Sequence, residues 1–137
     1  GTTPFVLSIL KHCRKEGIPT GCIVNNPHSP IAEWADYAVE VITGPEFVTG
    51  STRMKAGTSQ KLILDMISTT LQIRQGRVEG NKMVNAKLIN HKLIDRACRI
   101  FMERNSEYKD YEEVRQLILK AGSVKKAEMR ISRHFDM

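Results

Sequence analysis

Two short apolar runs, residues 20–25 (TGCIVN) and 37–42 (YAVEVI), stand eleven residues apart, and the stretch between them reads as a turn followed by a short helix. No other feature constrains the fold as much. A helical pattern also precedes the first run, so the order is helix, strand, short helix, strand. That alternation is the signature of an α/β fold built on a parallel sheet flanked by helices. The first helix opens with Thr3 as its N-cap and Pro4 at its first position, and Gly17 closes it. Phe5, Ile9 and Cys13 recur every fourth residue with Val6 and Leu10 beside them. Asn26-Pro27-His28-Ser29-Pro30 is a turn by composition. The chain opens without Met on Gly1-Thr2-Thr3-Pro4, which reads as the middle of a loop. The sequence therefore reads as a fragment, with an earlier strand and the N-terminal part of the sheet expected upstream.

Residues 43–57 form a loop dense in Gly, Thr and Ser, running into a long helix over about 52–75 with Gly76 as its stop. Ile63, Met66, Ile67, Thr70 and Leu71 fall at helical spacing, and Leu62, Leu64 and Ile73 widen the stripe. That breadth predicts a helix buried on more than one side, in the core or, alternatively, at a subunit interface. Beyond Gly76-Arg77 the composition shifts. The spacing of Leu88, Leu93, Ile94, Ala97, Ile100 and Phe101 predicts a helix over 83–104. A polar linker over 106–110 leads to a short helix over 111–120 closed by Ala121-Gly122, and Ser123 caps a last helix over 124–133. The expected division is an α/β part over residues 1–80 and a small helical region over 81–137.

The net charge is +6 over 137 residues. By itself it reads either as a plain basic surface or as a preference for anions, whether nucleic acid or phosphorylated metabolites. No Lys/Arg block is interleaved with aromatics, so a nucleic-acid groove has little support and no nucleic-acid partner is expected. Cys13, Cys22 and Cys98 are odd in number and far apart, which fits a reducing cytoplasm better than a disulfide framework. The four His residues fall at no metal-ligand spacing, and no apolar run approaches a membrane span. Neither a metal nor a membrane is expected.

Two segments have the chemistry of an anion site. Gly1-Thr2-Thr3-Pro4 delivers a helix N-terminus, whose free N–H groups and positive dipole end favour a phosphate; it reads equally as an ordinary cap. Thr49-Gly50-Ser51-Thr52 is followed directly by Arg53 and Lys55. Cations in a first helical turn oppose the dipole, so an anion there would neutralise them. Glu46 is the only carboxylate of that loop; it could bind sugar hydroxyls, move a proton, or stand as an exposed loop acid. Asn90-His91-Lys92 is a polar cluster that a solvated helix face would also explain.

The run GPEFVTGSTRMKAGTSQ, from Gly44 to Gln60, closely resembles a segment of the N-acetylmuramic acid 6-phosphate etherases and the glucokinase regulatory protein. Glu46, Ser51-Thr52-Arg53 and Gln60 are more loosely similar to the pattern of sugar-isomerase (SIS) domains. Gly1-Thr2-Thr3-Pro4-Phe5 resembles the tail of that family's phosphate loop, and Asn26-Pro27-His28-Ser29-Pro30-Ile31-Ala32 its turn. Asn81-Lys82-Met83-Val84, then Asn90-His91-Lys92-Leu93-Ile94-Asp95-Arg96-Ala97, resembles the etherase signature, and Ala121-Gly122-Ser123-Val124-Lys125 its C-terminal motif.

The resemblance implies the C-terminal part of a SIS-type sugar-phosphate-binding domain, followed by a small C-terminal helical region. It implies a lyase that splits the D-lactyl ether of N-acetylmuramic acid 6-phosphate without metal or organic cofactor, acting as a homodimer with a composite site in the cytoplasm. Thr2, Thr3 and the Gly1 backbone would face phosphate; Glu46, Thr49, Gly50 and Ser51 would line the sugar-phosphate site; Asn90 and Lys92 would reach the bound ligand. The family's two catalytic glutamates match no residue here, so no catalytic residue is assigned. Two alternatives share the resemblance: another SIS sugar-phosphate isomerase, and a sensing regulator of the glucokinase-regulator type.

Overall fold

The computed structural model describes the backbone of residues 1–135 and side chains through Ser132. Six α-helices and two small sheets are present among the described residues, divided into two compact units, Gly1–Ile67 and the remainder from Ser68 onward.

In the first unit, α1 (Pro4–Lys15), β1 (Gly21–Val24), α2 (Pro30–Trp34) and β2 (Tyr37–Glu40) follow the expected order. β1 and β2 pair in parallel, with Gly21 opposite Tyr37 and Val24 opposite Glu40. The pairing is pinned at its start by Asp36, whose Oδ2 accepts from Thr20 N–H at 2.7 Å and from Thr20 Oγ1 at 2.9 Å. α1 ends as the sequence predicts. Gly17 takes φ +68°, and the N–H of Ile18 reaches back to the Cys13 carbonyl at 2.9 Å. Leu10, Val24 and Ile31 form a small buried cluster between α1, β1 and α2, flanked by Leu7, Cys22 and Trp34. Lys11 and Arg14 lie over the Trp34 ring, 4.8 and 5.5 Å from its centroid.

The long helix α3 (Lys55–Arg74) starts three residues later than the sequence suggests, because residues 52–54 form a turn. Its expected burial on several sides is not what the structure has. Only Ala56 and Ile63 are buried, while Leu62, Leu64, Met66, Ile67, Leu71 and Ile73 are exposed. β2 is exposed at every position. The apolar residues are where the pattern put them, but a two-stranded sheet offers too few layers to cover both faces.

The second unit is organised differently from the expected continuous helix over 83–104. Val78–Glu79 (β3) and Lys82–Met83 (β4) pair antiparallel around Gly80-Asn81, with Gly80 at φ +59°. Val84 then lends its N–H to the Arg77 carbonyl and its carbonyl to the Lys125 N–H, each at 3.0 Å, so its backbone is unavailable to a helix. The helix begins only at α4 (His91–Arg104), where the Asn90 Oδ1 accepts from Leu93 N–H at 2.9 Å. α5 (Tyr111–Ala121) is capped by Asp110 and stopped by Gly122 at φ +86°. In α6 (Val124–Phe135), Ser123 accepts from Lys126 N–H at 3.3 Å. Val84, Cys98, Phe101, Val114, Ile118 and Ala127 are fully buried together, with Tyr108 edge-on to Phe101 at 5.3 Å. Outside this core, Glu79 binds Arg104 at 2.8 Å and Lys125 at 3.2 Å, and Arg104 also binds Glu128 at 2.8 Å.

Residues 1–67 hold six Lys/Arg and six Asp/Glu, and residues 68–137 hold fifteen and nine. The whole +6 surplus therefore belongs to the second unit, which is where Lys92 lies.

Candidate functional site

Parallel sheets present ligands at the loops that follow their strands. In the first unit those loops begin at Asn25, after β1, and at Val41, after β2. Their ends are joined: the Asn25 Nδ2 donates to the Val41 carbonyl at 3.0 Å. The same nitrogen donates to the Ser59 Oγ at 2.7 Å, and the Ser59 hydroxyl donates to the Ala56 carbonyl at 2.8 Å. A side chain at the end of β1 thus reaches the first turn of α3.

Glu46 meets the same turn from the other direction. Its Oε2 accepts from Lys55 N–H and its Oε1 from Ala56 N–H, both at 3.0 Å. These amides, Ala56 first, hold the carboxyl below the usual glutamate range. The anion expected at this helix start is therefore, at these two amides, the protein's own carboxylate. Glu46 is neither a free loop acid nor a group standing clear of the backbone. The cations Arg53 and Lys55 are exposed beside it.

Between Glu46 and Lys55 the chain makes an excursion. Ser51 N–H closes a turn on the Val48 carbonyl at 2.9 Å, with Gly50 at φ +75°, a backbone conformation that glycine adopts without strain. The turn thus leaves Thr49 and Gly50 at the surface and Ser51 partly covered.

The start of α1 is arranged in the opposite way to that of α3. Thr3 occupies the N-cap position, but its side chain makes no capping bond with any described residue. Thr2 and Thr3 are both exposed. Gly1 lies against the turn that follows β1. Its carbonyl accepts from Ile31 N–H at 3.2 Å, and a Cβ on Gly1 would fall 2.2 Å from the Ser29 Oγ. That turn carries the only positive-φ non-glycine among the described residues, His28 at φ 53°.

Asn90 and Lys92 belong to the second unit. The Asn90 oxygen is engaged as the α4 cap, and Lys92 is exposed with no ion pair to a described residue. Residues 1–3, 46 and 49–51 lie in the first unit, and 90 and 92 in the second.

A broad cleft of about 590 Å³ lies along the sheet face between Val6, Cys22, Val39, Leu64 and Ile67, with Gly1, Thr3 and Gln60 at its border. Its walls are those of an uncovered apolar face rather than of an anion pocket. Burial raises the thiols of Cys22 and Cys98 above the ordinary range, which disfavours the thiolate form at both.

No family profile matches the chain. Individual relatives do. The N-acetylmuramic acid 6-phosphate etherase of Bacteroides thetaiotaomicron is 55% identical over 134 residues, which is 98% of this chain and 48% of the relative. Those of Porphyromonas gingivalis and Pectobacterium atrosepticum are 57% and 48% identical over 126 and 118 residues. These cover 91% and 86% of this chain, and 45% and 38% of the respective relatives. The chain is homologous to part of the N-acetylmuramic acid 6-phosphate etherases. It spans about half the length of the curated relatives it matches.

Two features of this etherase-like chain escaped sequence reasoning. Asn25 was not singled out, because a bond to a side chain 34 residues away leaves no local signal. The capping role of Glu46 was missed for the same reason, although a carboxylate followed by a helix start rich in hydroxyls is a hint of it.

Proposed function

We propose that this chain is part of a lyase that cleaves the D-lactyl ether of N-acetylmuramic acid 6-phosphate to N-acetylglucosamine 6-phosphate and D-lactate, in cell-wall sugar recycling. The observation that carries the proposal is sequence identity of 53–57% with etherases along more than nine-tenths of this chain. In this reading the parallel β1–β2 pair and its helices are the later part of a SIS-type domain, residues 1–80, and residues 81–137 are its C-terminal helical region. The protein works in the cytoplasm as a homodimer whose site both subunits complete.

The chemistry is an elimination followed by addition of water. It needs an ionised carboxylate to take the proton at C2 and a neutral carboxyl to protonate the departing lactate oxygen. Neither is assigned to this chain. Its share is to hold the phosphosugar. The open start of α1, with the exposed Thr2 and Thr3 hydroxyls and the Gly1 backbone, suits the phosphate better than the start of α3, where Glu46 fills two amides and would repel an anion. Thr49, Gly50 and Ser51 line the sugar-phosphate site through the turn they form. By the etherase resemblance Asn90 and Lys92 also contact the phosphosugar, and the compact Lys92 ammonium suits phosphate or carboxylate.

Calorimetric titration of N-acetylglucosamine 6-phosphate into a full-length protein containing both halves tests this reading. A lost bond to a charged ligand group weakens affinity by roughly ten- to a hundredfold. Ser51→Ala and Lys92→Ala are each expected to do so. N-acetylglucosamine without phosphate should bind far more weakly. Unchanged affinity in both variants removes these assignments.

A further inference from the structure

We propose that Asn25 and Glu46 are positioning residues that grip the first turn of α3 from two sides and so set the Val48–Ser51 turn for a phosphosugar; the ligand half of this statement rests on the function proposed above. The grip converges on Ala56. Its N–H is held by the Glu46 Oε1 and its carbonyl by the Ser59 hydroxyl, which is itself held by the Asn25 amide. Ala56 is buried, so neither bond is replaced by water at no cost.

The same groups hold the chain on the way into the excursion and at its base. Asn25 ties down the Val41 carbonyl where the chain leaves the sheet. Glu46 then closes the base of the loop on Lys55 N–H. What lies between is short, carries its own Val48–Ser51 turn, and leaves Phe47 91% exposed. Nothing in its own packing would hold such a segment, so its geometry is inherited from its base. Release of either clamp lets Thr49, Gly50 and Ser51 wander, and a polar site misplaced by about an ångström loses most of its binding.

Glu46 is therefore assigned to the helix and not to the sugar. A sugar ligand and a clamp differ in one respect. Loss of a ligand group weakens binding and leaves the loop amides protected, whereas loss of a clamp weakens binding and also deprotects those amides.

The test measures amide hydrogen exchange and N-acetylglucosamine 6-phosphate affinity in the full-length protein carrying Asn25→Ala, Ser59→Ala or Glu46→Gln. Each variant is expected to speed exchange at Ser51, Lys55 and Ala56 by about tenfold. Exchange in α4–α6 should stay unchanged, and affinity should fall by about tenfold. Asn25→Ala and Ser59→Ala act through one chain of bonds, so the double variant is expected to be no worse than the stronger single. Should Asn25→Ala disturb β1 itself, Ser59→Ala still removes the link from the α3 side.

Unchanged exchange at Lys55 and Ala56 overturns the clamp. Faster exchange with unaltered affinity, in a protein whose wild type binds, overturns its positioning role. A wild type that does not bind the phosphosugar refutes the proposed function and with it the ligand half of the inference. The exchange data still decide whether the clamp exists.

Discussion

The etherase resemblance implies that Asn90 reaches the ligand, and the structure gives it a task as the cap of α4. Substitutions can separate the two. In Asn90→Ala the Leu93 N–H loses its side-chain acceptor, now 2.9 Å away, and keeps only the backbone carbonyl of residue 90 at 3.1 Å. Loss of an N-cap of this kind costs about 1 kcal/mol. For a unit the size of residues 68–137, a melting-temperature fall of roughly 7 °C follows. Asn90→Asp keeps an oxygen in the same place. Asp caps as well as Asn, and its charge is favourable at a helix N-terminus by about 0.3–1 kcal/mol. Stability should therefore be equal to wild type or slightly higher. Toward an anionic ligand the two variants reverse their order. Ala removes a donor, but Asp also places a negative charge beside the phosphate. N-acetylglucosamine 6-phosphate should thus bind Asn90→Ala about tenfold more weakly than wild type, and Asn90→Asp more weakly still. Differential scanning calorimetry and titration calorimetry on the same full-length samples read both axes. If Asn90→Asp binds the phosphosugar like wild type, Asn90 is a cap and nothing more. If it melts as low as Asn90→Ala, the capping geometry is wrong.

Two other predictions concern the second unit. Phe101→Ala empties a fully buried site against Tyr108 and should cost about 3–5 kcal/mol, measured by urea unfolding; a loss under about 1 kcal/mol would refute the packing described. Glu79 has its carboxyl held below the ordinary glutamate range by Arg104 first and Lys125 next. A folded-state value below the unfolded one gives stability that is present above the unfolded glutamate range and is lost as pH falls toward the folded value. Acid unfolding of Glu79→Gln should therefore show a flatter dependence on pH than wild type across that interval, and an identical acid limb would exclude this pairing.

The elements that were legible in the sequence are those whose signals are local. Thr3-Pro4 and Gly17 bracket α1; Gly122 and Ser123 separate α5 from α6; two apolar runs around a short helix give a parallel pair. The miss over residues 83–90 has an instructive cause. Leu88 continues the apolar spacing of α4, so periodicity alone extended the helix backwards across it. Three signals spoke against this: Gly80-Asn81 between potential strand residues, Asn90 as a capping type, and a Val84 that the tertiary structure claims for Arg77 and Lys125. The first two were readable; the third was not. The exposed stripe of α3 is a different kind of error. The pattern marks Leu62, Leu64, Met66 and Ile67 for burial and the structure exposes all four, because periodicity carries no information on which part of a molecule lies against a stripe.

The loop from Gly44 onward shows how one electrostatic requirement has two solutions. Hydroxyls, free N–H groups and two cations at a helix start do call for an anion. At Lys55 and Ala56 that anion is Glu46, nine and ten residues from its partners. That carboxylate belongs to the chain itself, so the two amides are satisfied without a ligand. It also bars a phosphate from those two amides by charge. The start of α1 has neither a capping side chain nor an acid in its first turn, and its two threonine hydroxyls face outward. At the start of α3 the chain's own carboxylate satisfies the amides, whereas at the start of α1 no described acid or capping side chain does.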